Sequence, residues 1–235
     1  MSTMPTPPAA ELLASVAEQL KVPLTTIARQ AELSQLTDQA MDAGLLQTQA
    51  TVALTLVDSY LLGLQLLEAQ GSLALEPVSV ASTLYEVAHQ LHGFARTYGV
   101  TLDLTIDGRY EPVMAHRAGL CAALTSLGYA LVEAQAAQSA GGRRLHFAVH
   151  RGAGGIVAGL YGSYESLGSA QLRSALALCG RARQPFTALA ATSSAGIFVA
   201  DTILQAMTTR LRVARHQHQT GLAATLLPSH QLQLV

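Results

Sequence analysis

LLASVAEQLKVPLTTIARQAEL, residues 12–33, sets Leu12, Leu13, Val16, Leu20, Leu24 and Ile27 at mostly three- and four-residue intervals, which is the stripe of an amphipathic helix. The spacing predicts a helix from Glu11 to about Ala31, bent where Pro23 removes a backbone donor. Upstream, residues 1–9 carry Pro5, Pro7 and Pro8 among small polar residues and read as a flexible lead-in, with order beginning near Ala10. Downstream, Leu36 to Glu68 has no proline and few charges, and Leu45, Leu46, Val52, Leu56, Leu61, Leu64 and Leu67 give it an apolar face. Two long helices on a short connection make an antiparallel hairpin over residues 10–73. A lone hairpin cannot cover its own apolar face, so pairing with a second copy as a four-helix bundle is expected.

Gly71, Ser72 and Pro77 interrupt the helical pattern, and a second domain is expected over residues 77–235. There the pattern predicts helices at Ser79–Tyr98, Arg117–Gln135, Ser169–Cys179 and Gly196–Met207. It predicts strands at Val100–Ile106, Leu145–His150, Gly155–Leu160, Leu211–Arg215 and Leu222–Leu227. Helices on one face of a mixed sheet form an α/β sandwich, so the chain as a whole is expected to be α+β.

Composition narrows the function. Of 235 residues 50% are hydrophobic and 12% charged, which fits a core-rich globular protein with few surface charges. A formal net charge of −1 offers no field to collect nucleic-acid phosphates or anionic lipid. No apolar run reaches the roughly 20 residues of a membrane span, and no basic segment precedes an apolar one at the start. A cytoplasmic protein without membrane insertion is expected. Cys121 and Cys179 lie far apart and outside any C-x-x-C spacing, and read as small buried hydrophobes.

Residues 12–33 resemble the H-box helix of bacterial sensor histidine kinases, whose usual form is close to S-H-E-L-R-T-P-L-T-x-I. Leu20, Lys21, Pro23, Leu24, Thr25 and Ile27 fit it. VDSYLLGLQLLEAQGSLALEPVSVASTLYEV, residues 57–87, looks like the end of that family's dimerisation hairpin running into its catalytic domain. GVTLDLTI, SLGYALVEA, SAGIFVADTILQAM and TGLAATLLP then follow the catalytic-domain order to the C-terminus. The resemblance implies a phosphoacceptor hairpin followed by an ATPase-type sandwich.

Position by position, the family's chemistry is missing. The phosphoacceptor histidine falls on Glu18 and the acidic residue after it on Gln19. A carboxylate cannot hold phosphoryl on nitrogen, nor can an amide act as general base. The N box, whose asparagine holds Mg²⁺ beside the phosphates, falls on Thr125 and Tyr129, in a chain that contains no asparagine. The D-x-G-x-G box that receives adenine falls on Gly162, Tyr164 and Ser166, and the glycine box that closes over the phosphates falls on Ser194, Gly196 and Phe198. Between Gly180 and Ser194 only RARQPFTALAATS stands for the ATP lid.

The resemblance therefore implies a non-catalytic histidine-kinase-like signalling protein, with no cofactor, that scaffolds or sequesters a response regulator or partner kinase. The alternative is a divergent histidine kinase or phosphotransferase of a two-component relay. Glu18 either mimics a charged phosphohistidine or is a solvated residue on the outer face. With Lys21 and Arg29 it is a candidate for contact with a regulator. All eight histidines lie at or after residue 89. His89 with His92, or His216 with His218, would need a third ligand to bind zinc, so no metal is expected. Arg143 and Arg144 read as a charged hairpin entry. Tyr129, Tyr164 and Phe198 are expected to fill the vacated nucleotide cavity or reline it for another ligand.

Overall fold

The computed structural model describes residues 8–37, 42–69, 73–106, 108–137, 143–164, 167–177 and 191–229. Two helices come first, α1 (Pro8–Thr37) and α2 (Ala43–Ala69). There follow β1 (Glu76–Val78), α3 (Val80–Thr97), β2 (Thr101–Ile106), β3 (Val113–Ala115), α4 (Arg117–Ala136), β4 (Arg144–Gly152) and β5 (Gly155–Gly162). The chain continues with α5 (Ser169–Ala177), α6 (Ala191–Ala206), β6 (Arg212–His216) and β7 (Gln219–Leu226).

The architecture is the expected α+β arrangement, with two differences at the hairpin. α1 runs through Pro23 to Thr37, and α2 starts only at Ala43, where the Asp42 carboxylate accepts the Leu45 backbone N–H at 3.0 Å. The patterning missed that cap and started the second helix too early. Two three-residue strands, β1 and β3, also escape it, being too short to show alternation; they pair antiparallel, Glu76 opposite Ala115.

The main sheet has the order β2-β4-β5-β7-β6, with β2 parallel to β4 and the other pairs antiparallel. Side-chain caps fix where its helices begin. Ser79 Oγ accepts the Ser82 N–H at 3.3 Å to open α3, and His116 Nδ1 accepts the Gly119 N–H at 3.0 Å to open α4. At the far end of α6, Asp201 Oδ1 accepts the Leu211 N–H at 2.9 Å, so a buried carboxylate ties that helix to the strand that follows it.

α4 is buried on almost every side, which accounts for its nearly all-apolar sequence. One continuous core packs Leu84, Leu91 and Phe94 of α3, Leu127 and Leu131 of α4, and Ile197 and Ile203 of α6 against Leu145, Phe147, Leu160 and Leu222 of the sheet. Val52, Leu56 and Tyr60, spaced one helical turn apart on α2, belong to the same core. The hairpin is thus packed onto the helical layer of its own chain, with Gly63 of α2 facing Val199 of α6.

The opposite sheet face is small: Ala148, Val157, Tyr161 and Ala223 form a separate buried cluster. Gly159 makes room there for the Tyr161 ring, since a Cβ at that position would sit 2.7 Å from the phenol oxygen. Among the described residues no helix is long and apolar enough to cross a membrane.

Candidate functional site

Glu18 and Gln19 fall in α1, although their side chains lie outside the described residues. Around them the helix shows two faces. Pro23 is buried, Leu20 is half-buried against the chain's own core and Ile27 is half-buried, whereas Lys21, Leu24, Thr25 and Arg29 are exposed. Lys21 and Arg29 therefore share the solvent side of α1, two turns apart.

Thr125 and Tyr129 stand one turn apart on the α4 face that looks toward α2 and α3. Both line a cleft of about 720 Å³ between those helices. Tyr129 packs edge-on against Phe94 at 4.7 Å between centroids, and its hydroxyl bonds Thr55 of α2. Burial pushes that phenol up to about 12. Thr125 is 1% exposed, its hydroxyl enclosed beside the Cys121 thiol one turn back on α4. α2 thus reaches over the two N-box positions and bonds one of them.

Gly162 ends β5 beside the C-terminal turn of α4. A Cβ there would meet the Tyr164 ring at 2.9 Å and Gln135 Oε1 at 3.0 Å. The Tyr164 hydroxyl donates to the Leu131 carbonyl at 3.3 Å, and burial of that hydroxyl raises its pKa although the residue keeps an accessible edge. Ser166 and the segment 178–190, which includes Cys179 and most of the shortened lid, lie outside the described residues.

The third box differs from the sequence expectation in its local structure. The patterning began a helix at Gly196, but α6 begins at Ala191, so Ser194, Gly196 and Phe198 are all helical. Of the Ser194 side chain nothing is described; Phe198 is half-buried against the core. Gly196 is pressed onto α4, where a Cβ would lie 2.6 Å from the Ser126 carbonyl oxygen and 3.1 Å from the Ala130 methyl. The glycine serves a close helix crossing, and its backbone N–H belongs to a helix interior. The structure brings Thr125 together with Tyr129, and Gly162 with Tyr164, but neither Tyr164 nor Phe198 lines the cleft that holds Tyr129.

No family model matches the sequence, and no curated protein matches it. Among solved structures, full-length ShkA in complex with AMPPNP matches with a TM-score of 0.56 and 16% identity, over 94% of this chain and 46% of that one. A bacterial phosphotransferase solved at 1.7 Å matches with a TM-score of 0.50 and 10% identity, over 95% of this chain and 98% of that one. The Acinetobacter baumannii histidine kinase AdeS gives 0.49 and 16% identity, over 90% and 98%. The fold is that of a histidine-kinase core. At these identities the likeness speaks for the fold alone.

Among the described residues of this histidine-kinase-like core, His116, which caps α4, is the one histidine that lines the cleft of Thr125 and Tyr129. His89 and His92 are exposed on α3, and His146 sits 3.3 Å from Asp103. His216 ends β6 and His218 follows in the turn, so the predicted pair does not share a strand. Among the described residues no group of three or more His, Cys, Asp or Glu side chains is placed to hold a metal ion.

His216 instead stacks on His150 at 5.0 Å, and both rings lie beside Tyr161. Burial, then His216 and Arg212, lower the His150 pKa below 6.5. A base whose folded pKa is depressed binds fewer protons folded than unfolded. The stability linked to His150 is therefore fully present above pH 6.5 and drains away as the pH falls from there to the depressed value. His150→Gln is expected to flatten the fall in Tm between about pH 7 and 5. An unchanged slope in that variant would assign the acid sensitivity to other groups.

Proposed function

We propose that this chain is a non-catalytic, histidine-kinase-like signalling module. In this reading residues 10–73 form the dimerisation hairpin of a homodimer and residues 77–235 a degenerate ATPase-type unit. The exposed side of α1 that carries Lys21 and Arg29 meets a response regulator or partner kinase and scaffolds or sequesters it, with Glu18 of the same helix as a further candidate contact.

The observation that carries the reading is the coincidence of losses on a retained fold. A hairpin without histidine cannot carry a phosphohistidine, and a chain without asparagine cannot hold Mg²⁺ through an N box. Local packing supports it. Tyr164 lies against the glycine of the adenine box, Gly196 is closed onto α4, and α2 spans the Thr125–Tyr129 face. Asp58 and Glu76, which line the cleft beside Thr125, would repel a triphosphate, while Glu86 there is paired with Arg117 at 3.4 Å.

Calorimetric titration with ATP and ADP, with and without Mg²⁺, tests the nucleotide half. No binding at about 1 mM is expected, and a Kd tighter than about 100 μM, roughly −5.5 kcal/mol, would restore a kinase reading. Titration against purified receiver domains from the same proteome tests the partner half. One specific receiver is expected to bind, with an affinity lowered by the double substitution Lys21→Glu, Arg29→Glu. The phosphotransferase alternative draws on the likeness to a structure of that description. It would require phosphoryl label on one of the eight histidines after incubation with a phosphorylated receiver.

A further inference from the structure

The net charge of −1 conceals a division along the chain. Residues 166–235 carry six arginines and a single acid, Asp201, whereas residues 1–165 carry eight basic and fourteen acidic side chains. With histidine neutral, the C-terminal stretch stands at +5 and the remainder at −6. Asymmetry of this size marks a surface for a charged partner. Asp201 is buried, and its two oxygens accept the Leu211 N–H at 2.9 Å and the Gln205 side-chain amide at 2.6 Å. No acidic side chain of this stretch therefore reaches the surface.

Three of the arginines, Arg210, Arg212 and Arg215, stand exposed along β6 and the residues leading into it, at the edge of the main sheet. Among the described residues none of the three has a carboxylate within ion-pair distance. On the sheet face Arg212 looks toward Tyr161, whose phenol burial pushes up to about 12 and so keeps neutral.

Arg210 and Arg212 also line one cavity of about 560 Å³, together with Gln205, Thr208, Thr209 and Thr225. Its donors and acceptors discriminate among anions. The guanidiniums only donate. Gln205 turns its amide nitrogen to Asp201, which leaves its carbonyl oxygen, an acceptor, on the side away from that carboxylate. The Thr209 hydroxyl donates to the Thr225 carbonyl at 2.7 Å, so its remaining capacity is likewise to accept. A phosphate dianion, made of acceptors, would leave both unpaired. A peptide brings carboxylates for the arginines and backbone N–H groups for Gln205 and Thr209. Three exposed arginines also fall short of the roughly 6–10 phosphate contacts of a nucleic-acid surface.

We propose that the cavity at the entry to β6 docks an acidic, extended segment of a protein partner. Arg210 and Arg212, two residues apart and so separated by about 7 Å along extended backbone, hold carboxylates at alternate positions of that segment. Gln205 and Thr209 accept its backbone N–H groups. The surface lies on the ATPase-type unit and not on the hairpin, and so goes beyond the signalling reading.

The test is fluorescence anisotropy of a labelled peptide of alternating glutamate and serine with the full chain, at about 50 mM salt. A Kd below about 100 μM is expected, while the same peptide with glutamine for glutamate does not bind at about 1 mM. Arg210→Gln with Arg212→Gln is expected to weaken the glutamate peptide about tenfold or more, with the Tm unchanged. Arg96→Gln with Arg109→Gln removes the same charge beside β2, at the opposite edge of the sheet, and should change the affinity less than about twofold. Absence of glutamate-peptide binding, equal binding of the glutamine peptide, unchanged affinity in the Arg210, Arg212 pair or an equal loss in the Arg96, Arg109 pair would each overturn the proposal. Pyrophosphate that displaces the peptide more readily than unlabelled peptide does would assign the cavity to phosphate and overturn it too. None of these outcomes bears on receiver binding through Lys21 and Arg29.

Discussion

Gly196→Val is expected to lower stability by about 2–3 kcal/mol, a fall in Tm of roughly 5–10 °C for a chain of this length. The substitution puts a branched side chain where even a Cβ would stand 2.6 Å from the Ser126 carbonyl oxygen. That oxygen is backbone inside α4, so it cannot rotate aside, and α4 and α6 must separate. Both helices are buried in the core, and any separation opens voids around Ile197, Ala130 and Leu127. Gly63→Ala in α2 is the control. A Cβ there meets Val199 at an ordinary 3.6 Å, so the gain in helix propensity, up to about 1 kcal/mol, should appear unopposed. Thermal melts of the two variants check both signs. A Gly196→Val protein as stable as the parent would show that the glycine has no packing role.

The same glycine marks where sequence reading stops. Element order was legible because its signals are local. The stripe of residues 12–27, the break at Gly71–Pro77 and the apolar strands around Phe147 and Leu160 each lie within one window of chain. The Asp42 cap and the three-residue strands β1 and β3 were missed, the first because α1 runs on past Ala31 and blurs the connection, the others because three residues carry no periodicity. A glycine at residue 196 reads equally well as a phosphate loop or as a helix crossing, and only the contact with Ser126 separates them. The cleft shows the same limit more sharply. Asp58, Glu86 and Thr125 belong to three helices, and each reads alone as an unremarkable helical residue. No spacing rule joins residues 58, 76, 86 and 125; the docking of α2 onto α3 and α4 does. The His150–His216 stack is likewise invisible in sequence, where His216 paired more naturally with His218.

The double substitution Leu54→Glu, Leu61→Glu is expected to convert the proposed homodimer to a monomer without unfolding it. Both leucines lie on the exposed side of α2, at 66% and 51% exposure, and their spacing of seven residues places them on one stripe. Leu24, Leu33 and Leu36 of α1 are also exposed, so among the described residues most of the large apolar side chains left open to water are in the hairpin. The inner face of α2 is already used by Val52, Leu56 and Tyr60 in the core of its own chain. A partner must therefore take the outer stripe. Burying the four leucines of two copies is worth about 4 kcal/mol, roughly three orders of magnitude in Kd, and glutamates would replace that gain with repulsion across the dyad. Sedimentation equilibrium should give twice the chain mass for the parent and the single mass for the variant, with matching far-UV spectra. A parent that sediments as a monomer at about 100 μM, or a variant that remains dimeric, would move the dimer interface elsewhere and remove the outer face of α2 from the signalling model.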